Sequence, residues 1–583
     1  MPRPVAALLA IAVLAACASP GPDPQPAEEL VLLDQGLTPE ERAILHFTPQ
    51  GTEIMPASWL ASLRVGPTSE TRLMDPAVLG RYRFITPAPD PVRNPDNFPL
   101  GFAVHAHKGP GGPPSGVRMV GFTCAACHTG QINHKGKAIL IEGGSAMHDA
   151  VAFQRRMAEA MVLTAELGWK RERFLDEVMR REAWPGGREA LAKSFDNAVE
   201  RILVRKPLED RLTVVPEGHG RLDALQRIAN QLLGENLIRP DNEQVRDAPV
   251  SFPPVWDIWL FDWVQYNASV RQPMVRNVGE ALGVRARTRF LDDAGHPIGP
   301  PTVWDTSVLV RDVDRIERTL HKLRPPPWPA EILGAVDPAL AEQGRVAFAS
   351  RCAACHGIQV IRGTGGAPEW HVPVIPLARI GTDPNAARGF AGRTYDASAL
   401  GFRERIGGAE ALRVVTERVK ERAYDQLVPP ASAEERAALD GFGRDNLVRA
   451  PCGYKARPLI GIWATAPFLH NGSVPSLHDM LSPDRPATFV VGDREFDPEK
   501  VGYRSDRLEF GTLFDTSMPG NSNQGHWFRD TRGPGVIGPA LSDGERRAII
   551  AYLKVATEET YPRRMVDRPG RAACEGEPGW ASR

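Results

Sequence analysis

The pentapeptide CAACH occurs at residues 124–128 and again at residues 352–356. Two cysteines three positions apart can reach one small group from one side of a helical turn. The pattern Cys-x-x-Cys-His is the attachment motif of c-type haem, in which both thiols form thioether bonds and the histidine supplies an axial nitrogen to the iron. The sequence therefore predicts two covalently bound haem c groups. Their predicted ligands are Cys124, Cys127 and His128 in the first motif and Cys352, Cys355 and His356 in the second.

Two other interpretations of the paired cysteines remain open. Four thiolates can build a structural zinc site, and the two pairs can also be unrelated thiols. A histidine directly after both pairs is expected for haem and is not expected for zinc, which favours the haem interpretation.

The first twenty residues, MPRPVAALLAIAVLAACASP, have the features of an export signal. One early cation, Arg3, precedes an apolar run that is far shorter than the roughly 20 residues needed to cross a bilayer. We therefore expect a signal peptide over residues 1–16. Its end, LAAC, resembles the lipobox of bacterial lipoproteins, in which cleavage before the cysteine is followed by acylation, here of Cys17. An ordinary secretory cleavage site nearby is the alternative.

Export agrees with the haem prediction, because c-type haem is attached outside the cytoplasm in bacteria. The sequence thus predicts an exported, lipid-anchored protein of the cell envelope, at the outer membrane on its periplasmic or surface side. Residues 17–45 begin with a Pro-rich stretch and are expected to form an extended tether. No later apolar stretch predicts a membrane span.

The composition narrows the class of protein further. Lysine and arginine number 70 and aspartate and glutamate 71, so the net charge is −1, and no basic stripe predicts a nucleic acid partner. With 42% hydrophobic residues and 54 each of glycine and proline, we expect long ordered loops. Of the seven cysteines, Cys452 and Cys574 remain after the motifs and Cys17. In an oxidising compartment we expect them to form a disulfide, with two buried free thiols as the alternative.

Three consecutive prolines in HKLRPPPWPAEIL cannot continue a helix and mark a linker over residues 323–333. Behind it, DPALAEQGRVAFASR predicts a helix that leads into the second motif, and LSDGERRAIIAYLKVA carries a capping box of Ser542 and Glu545. These two helices frame a cytochrome c domain, predicted over 334–583. The first haem domain, predicted over 46–322, is elaborated with extra amphipathic helices and long loops. The predicted fold class is therefore mainly α, with few strands.

The chemistry of each haem depends on the sixth ligand of its iron. Protein ligands on both faces make an electron carrier, whereas an open face lets oxygen or peroxide bind. Cytochromes c usually carry the sixth ligand in the loop before the last helix, which here reads FDTSMPGNSNQGHWFRDTRGPG. Each histidine of this region can also be an ordinary loop residue that makes hydrogen bonds. The candidates are Met518 and His526 in this loop and His470, His478 and Met480 in IGIWATAPFLHNGSVPSLHDML.

The segment IGIWATAPFLHNGSVPSL is similar to the signature of the di-haem cytochrome c peroxidase superfamily. GNSNQGHWF, MVGFTCAACHTGQI and MVRNVGEALGV resemble one branch of it, the di-haem rubber oxygenases and their relatives. The resemblance covers most of residues 90–560. It implies that His356 and His526 coordinate the second iron, with Met480 as the alternative because a methionine takes this role in the peroxidases. It leaves His470, in a tight turn, as a residue beside the ligands.

For the first haem, the resemblance implies that the face opposite His128 is open to dioxygen. We expect an apolar pocket wall from residues 251–284, in which Trp256, Trp259 and Trp263 line the distal pocket or lie between the haems; ordinary aromatic core is the alternative. Three histidines could instead close the site. These are His105, His107 and His148.

The sequence therefore predicts an exported di-haem c-type cytochrome that transfers electrons and activates oxygen or peroxide at the first haem. Three classes compete. A rubber oxygenase-like enzyme needs an apolar substrate and an open first haem, a peroxidase needs a redox partner protein, and a pure electron carrier needs six ligands on both irons. Fold does not fix function, so the substrate is not predicted.

Overall fold

The computed structural model describes residues 29–292, 295–363, 366–402 and 404–567. The predicted signal peptide, Cys17 and Cys574 lie outside the described residues. Within these ranges no helix is both long enough and apolar enough to cross a membrane.

The secondary structure is mixed, with 39% helix and 17% strand, so the prediction of a mainly α fold is wrong. The strands are two to six residues long, too short for an alternating pattern to stand out in loops rich in glycine and proline. Their bounds are β1 (Glu29–Leu32), β2 (Met55–Pro56), β3 (Phe102–Ala106), β4 (Arg118–Phe122), β5 (Thr129–His134), β6 (Lys137–Glu142), β7 (Arg221–Leu222), β8 (Val250–Ser251), β9 (Ile358–Arg362), β10 (Pro368–His371), β11 (Val374–Pro376), β12 (Thr394–Asp396), β13 (Arg405–Gly407), β14 (Gly453–Lys455), β15 (Thr488–Val491), β16 (Phe496–Asp497), β17 (Gly502–Tyr503), β18 (Thr512–Asp515), β19 (Trp527–Phe528), β20 (Val536–Gly538) and β21 (Arg563–Met565).

Helices of four to 26 residues lie between many of these strands in the sequence. A π-helical turn over Asn230–Glu235 and several short 3₁₀ turns accompany them. The α-helices are α1 (Pro39–Phe47), α2 (Ala57–Ser62), α3 (Pro76–Arg81), α4 (Cys124–Cys127), α5 (Ala150–Glu166), α6 (Gly168–Arg181), α7 (Gly187–Leu212), α8 (Ala224–Ala229), α9 (Pro273–Gly283), α10 (Val310–Leu320), α11 (Ala330–Leu333), α12 (Pro338–Arg351), α13 (Ala353–His356), α14 (Leu377–Ile380), α15 (Asn385–Gly392), α16 (Gly408–Asp425), α17 (Ala433–Asp440), α18 (Leu477–Leu481) and α19 (Asp543–Val555).

The first CAACH motif lies between two small sheets. β4 is the centre of the sheet β2-β4-β3 and ends just before α4, and β5 of the sheet β1-β6-β5 begins just after it. β5 and β6 form a hairpin whose two turn residues, Lys135 and Gly136, have φ of 48° and 78°. Positive φ at both turn residues marks a type I′ turn, whose twist matches that of the strands. The two sheets thus hold the motif from both ends.

The second motif lies in the predicted helical frame. α12 leads directly into it, and α12 packs on α19, which begins with the capping box of Ser542 and Glu545. The two helices are closest at Gly344, where a Cβ atom would lie 1.8 Å from the backbone oxygen of Ala548. Only glycine therefore permits this crossing.

The expected tether is partly folded. β1 adds to β6 as a parallel strand, with Glu29 opposite Lys137. α1 begins with a second capping box, formed by Thr38 and Glu41. Residues 29–45 are therefore folded and not an extended tether, because β1 pairs with a strand more than a hundred residues later, which the local sequence does not show.

The hydrophobic cores do not follow the predicted division at the Pro-rich linker. The largest core combines buried residues from both sides of it, including Trp256 and Trp463. Another core joins α9 and α10 to α16. The linker is itself packed, since the Trp463 indole donates to the carbonyl oxygen of Pro326 at 3.1 Å. The two motif-bearing halves therefore share their packing.

Candidate haem-binding sites

The second motif places His356 opposite a second imidazole. His356 donates from Nδ1 to the backbone oxygen of Arg457 at 2.8 Å, which leaves Nε2 free to bind a metal. The His526 ring lies 6.1 Å from the His356 ring between centroids, at an interplanar angle of 59°. Because metal–imidazole nitrogen bonds are about 2 Å long, two rings that coordinate one ion from opposite sides have centroids about 6 Å apart. The gap between these rings fits one metal ion.

The loop that carries His526 is held by close backbone contacts. His526 has φ of 50°, and its N–H donates to the Ile380 oxygen at 2.8 Å. At Gly525 a Cβ atom would lie 2.2 Å from the Gly381 carbonyl carbon, so only glycine fits. The Arg485 guanidinium donates to the backbone oxygens of Gly525 and His526 at 2.9 and 3.1 Å. Arg485 was not predicted from the sequence.

Burial keeps these groups neutral. It lowers the pKa of His356, and it lowers the pKa of His526 to about 3, with a further lowering by His356. Burial also raises the pKa of the Cys352 thiol to about 12. Neutral imidazole is the form that binds a metal.

The first motif is held at its start by a cap and a close approach. Thr123 caps α4 by accepting from the Ala125 N–H. At Gly101 a Cβ atom would lie 2.0 Å from the backbone nitrogen of Ala126, so β3 reaches the motif only because residue 101 is glycine. Burial lowers the pKa of His128 to about 4, although the backbone of Pro253 acts in the opposite direction. The motif thus has a neutral, half-buried histidine.

Helix α9 presents charged residues to the first motif. Burial raises the pKa of the Cys124 thiol to about 12, and the charge of Glu280 raises it further. The pKa of Cys127 is raised mainly by burial, then by Cys124 and by Glu280. Arg276, one turn before Glu280, lowers the pKa of His128 after burial. Part of the wall expected from residues 251–284 is therefore charged. The signal was present in the sequence as two charges four positions apart in an otherwise apolar helix.

Hydrogen bonds fix both of these α9 side chains. Gln265 donates to Glu280 Oε1 at 2.9 Å. Arg276 forms an ion pair with Glu317, and Asn277 donates to the same Glu317 oxygen at 3.1 Å. The charges near the first motif are therefore held in place.

The three histidines that could close the first site have different surroundings. His105 and His107 contact Glu53 at 3.3 and 2.8 Å. Burial alone would raise the pKa of Glu53, but hydrogen bonds from both rings and the charge of Arg287 lower it to about 2. His148 is stacked between Phe84 and Phe252.

His148 is the one of the three that lies near the motif. Burial lowers its pKa to about 3, and the neighbouring His128 lowers it further. Neither of its ring nitrogens has a hydrogen-bond partner among the described residues. His148 therefore remains a candidate for the first site, whereas the contacts of His105 and His107 are with Glu53.

The three tryptophans of the expected wall point in different directions. Trp256 is fully buried in the largest core, and its indole donates to the Ile460 oxygen at 3.1 Å. Ile460 follows closely after Arg457, whose backbone oxygen accepts from His356 of the second motif. Trp259 packs on His321, with centroids 5.0 Å apart. Trp263 carries the Arg449 guanidinium 3.8 Å above its ring. They do not form one aromatic wall.

Of the remaining candidate ligands, Met480 shares a contact with His526, because Arg485 donates to the backbone oxygens of both, at 3.3 and 3.1 Å. Met480 is buried in the largest core within α18. His470 stacks on Tyr454 with centroids 3.8 Å apart, and burial lowers its pKa to about 3. His478 lies 3.8 Å from Asp479 in an ion-pair contact, and Met518 is half-buried in its loop.

The cysteine pairs do not converge on a zinc site. Among the described residues no group of three or more histidine, cysteine, aspartate or glutamate side chains is arranged to hold a metal ion. The free cysteines of the described chain are the four motif residues. Cys452 is described, but Cys574 is not, so their pairing stays a prediction.

The residues of both motifs fit haem c. All four motif cysteines retain accessible surface, yet burial dominates the pKa of Cys124, Cys127 and Cys352. The thiols therefore face enclosed space instead of the outer surface. His128 and His526 each have a buried Nδ1 without a hydrogen-bond partner among the described residues. Paired thiols, a free imidazole face and enclosed space are what covalent haem attachment requires.

Comparison with known proteins agrees with this chemistry. A family model described as RoxA-like, cytochrome c-like matches residues 453–490. The uncharacterized protein y4iJ of Sinorhizobium fredii is 39% identical over 573 residues, which span 91% of this chain and 94% of that protein. The chain belongs to the y4iJ family. The uncharacterized protein y4iM of the same organism is 28% identical over 270 residues, 46% of this chain and 52% of y4iM.

The match at residues 453–490 relates the chain to RoxA-like cytochromes c, and a cytochrome c carries haem c. This segment includes Arg457, the backbone partner of His356, and also His470 and Met480. The matched stretch is thus part of the surroundings of the second motif.

Proposed function

We propose that the chain is an exported di-haem c-type cytochrome in which the second haem transfers electrons and the first binds oxygen or peroxide. The observation that carries this proposal is the difference between the two motifs. His526 lies across from His356, whereas α9 brings Arg276 and Glu280 to the first motif. Haem iron with protein ligands on both faces passes electrons, and iron with an open face binds and activates oxygen or peroxide.

The residues that would hold each haem follow from the motifs. Cys124, Cys127 and His128 would hold the first, and Cys352, Cys355 and His356 the second. His526 would be the second axial ligand of the second haem, supported by the 6.1 Å ring separation. Met480 is the alternative that the peroxidase superfamily implies.

Glu280 is placed to hold a proton near the first site. Burial raises the pKa of its carboxyl, and Gln265 fixes Oε1, so Oε2 remains available. A carboxyl group with a raised pKa holds its proton more strongly and can serve as a general acid. Arg276 supplies a fixed positive charge beside it. The Glu280 carboxyl with the Arg276 guanidinium favours peroxide chemistry as the second candidate function, whereas the RoxA-like match favours the oxygenase-like one.

Location and partners complete the proposal. Export and a lipid anchor at Cys17 are supported by the N-terminal signal. An oxygenase-like enzyme would act on an apolar substrate and need no external reductant in each turnover. A peroxidase would need an electron-donor protein that docks near the second haem.

Haem content tests the di-haem part. Protein that is denatured and extracted with acid acetone should retain the mass of two haems, because thioether bonds survive this treatment. Retention of one haem or none would reject the proposal.

Turnover assays separate the enzyme classes. Oxygen uptake with a polyisoprene oligomer and no reductant indicates an oxygenase, and peroxide-dependent oxidation of a reduced cytochrome indicates a peroxidase. If Glu280 moves the proton, Glu280→Gln should lower peroxide turnover about a hundredfold or more without changing carbon monoxide binding. Glu410→Gln, at an exposed ion pair with Arg413, is the matched control. Absence of both activities leaves the electron carrier as the function.

A further inference from the structure

Two cations project from one extended segment near the second motif. Lys455 ends β14, and the Ala456 N–H continues the pairing by donating to the Pro373 oxygen at 2.8 Å. Residues 455 and 457 are two positions apart in an extended chain and therefore point to the same side. Lys455 and Arg457 thus form a pair of like charges on one face.

Neither side chain has a carboxylate partner within the described residues. Lys455 Nζ makes no side-chain hydrogen bond or ion pair with any of them, and Arg457 donates only to the backbone oxygens of Pro254 and Pro458, at 2.9 and 3.2 Å. Lys455 and Arg457 are both partly buried, and charges withdrawn from water are nearly always paired because their desolvation is costly. Burial lowers the pKa of the Lys455 ammonium to about 7, and Arg457 and Arg276 lower it further. Against the effect of burial, Asp262 raises the pKa of Lys455 and Asp257 that of Arg457, but within the described residues neither cation has a carboxylate in direct contact.

The pair lies between the two motifs. The backbone oxygen of Arg457 accepts from His356 Nδ1 at 2.8 Å. Toward the first motif, the positive charge of Arg276 lowers the pKa of both Lys455 and His128. Lys455 Nζ and the Arg457 guanidinium lie 5.6 and 5.3 Å from the centroid of the buried Phe261 ring. The cations therefore face the interior space that separates the motifs.

We infer that Lys455 and Arg457 bind the propionate carboxylates of haem in the space between the two motifs. This inference rests on the proposed function, because it requires haem at both motifs. Haem is attached through its vinyl groups, so its carboxylates remain free to pair with protein cations. Two carboxylates would supply the missing partners of the two cations and offset their mutual repulsion. Arg457 and Lys455 would thereby also set how readily the haems are reduced.

Arg457 connects both motifs through different atoms. Its backbone oxygen accepts from His356 and so orients that ring. Its guanidinium donates to the backbone oxygen of Pro254. The preceding residue, Pro253, raises the pKa of His128 through its backbone. A side-chain substitution removes the guanidinium contact and leaves the backbone contact available. Arg457→Lys therefore tests the guanidinium contacts, at unchanged charge, apart from the orientation of His356.

The test is the reduction potential of each haem, measured by spectroelectrochemical titration of the full holoprotein. Removing a cation beside the haem makes the less positive, reduced form less favoured. Lys455→Met should therefore shift the reduction equilibrium of at least one haem about tenfold toward the oxidised form, a lowering of about 59 mV. Lys455→Arg should retain the wild-type potentials. Lys170→Met is the control for the loss of a lysine, since Lys170 is buried and donates to the Gly66 oxygen, far from both motifs in sequence.

Several outcomes overturn the inference. Unchanged potentials in Lys455→Met with two haems present would do so. So would wild-type potentials that depend on chloride or phosphate concentration, because a free anion would then occupy the pair. If Lys455→Met does not accumulate, the propionate bending bands in resonance Raman spectra of Arg457→Lys should shift, and unshifted bands reject the idea.

Failure of the proposed function gives a different result. Loss of a haem from the wild-type protein, detected by mass, would reject the di-haem proposal before any potential is measured. Unchanged potentials in a protein with two haems would reject only the role of Lys455 and Arg457.

Discussion

Gly344→Ala should destabilise the frame of the second motif. The added Cβ would lie 1.8 Å from the Ala548 oxygen and 2.9 Å from the Tyr552 Cβ atom. Both atoms belong to α19 or its immediate side chains, so no flexible side-chain end can move aside, and α12 and α19 must separate. Overpacking of a well-packed contact costs about 1 to 3 kcal/mol, and the helix preference of alanine returns up to about 1 kcal/mol. We expect a net loss of about 2 kcal/mol.

Urea unfolding followed by the Soret band of the second haem measures this loss as a lower midpoint. Gly168→Ala is the control, because Gly168 opens α6 and nothing lies within 4 Å of its added Cβ. The control should be neutral or slightly more stable. A Gly344→Ala midpoint equal to or above that of wild type would refute the close crossing of α12 and α19.

The remaining predictions concern a buried acid, the second site and the cysteines. Burial raises the pKa of Asp257 to about 6, so the folded state binds this proton more tightly than the unfolded chain and loses stability as pH rises from about 4 to about 6. Asp257→Asn should remove this loss, so the stability of the variant relative to wild type should rise over that window by on the order of 3 kcal/mol in unfolding free energy. A stability difference between variant and wild type that is the same at pH 4 and pH 7 would contradict this prediction. His526→Ala should open the second haem to carbon monoxide and leave the first spectrum largely unchanged; the ligand is Met480 if only Met480→Ala has this effect. Peptide mapping without reduction should recover Cys452 linked to Cys574, and alkylation of both without reduction would exclude the disulfide.

Local signals predicted the helices and the motifs. The capping box of Ser542 and Glu545 marks the start of α19, and the amphipathic segments after the first motif form α5, α6 and α7. These features depend on residues a few positions apart, where periodicity and capping act. The last helix marked the loop before it as the place for a sixth ligand, and the family resemblance chose His526 in that loop, where its ring lies 6.1 Å from that of His356.

Contacts between distant residues could not be predicted in this way. β1 forms only because β6 offers an edge more than a hundred residues later, and the shared core joins Trp256 to Ile460 across the Pro-rich linker. Glu280 stands in a helix that reads as apolar, and its approach to Cys124 depends on how that helix packs. Lys455 carries no sequence sign of lacking a partner, because an absent partner is visible only in three dimensions.

Carbon monoxide titration of the reduced protein tests the central claim, that the two CAACH motifs serve different chemistry. His526 faces His356 and should leave no open position at the second haem. At the first motif, no second imidazole has been assigned as a ligand opposite His128. We expect that one carbon monoxide binds per chain and that half of the Soret absorbance responds. A response of both haems would contradict the closed second site. No response, with a side chain such as His148 on the first iron, would contradict the open first site and leave an electron carrier.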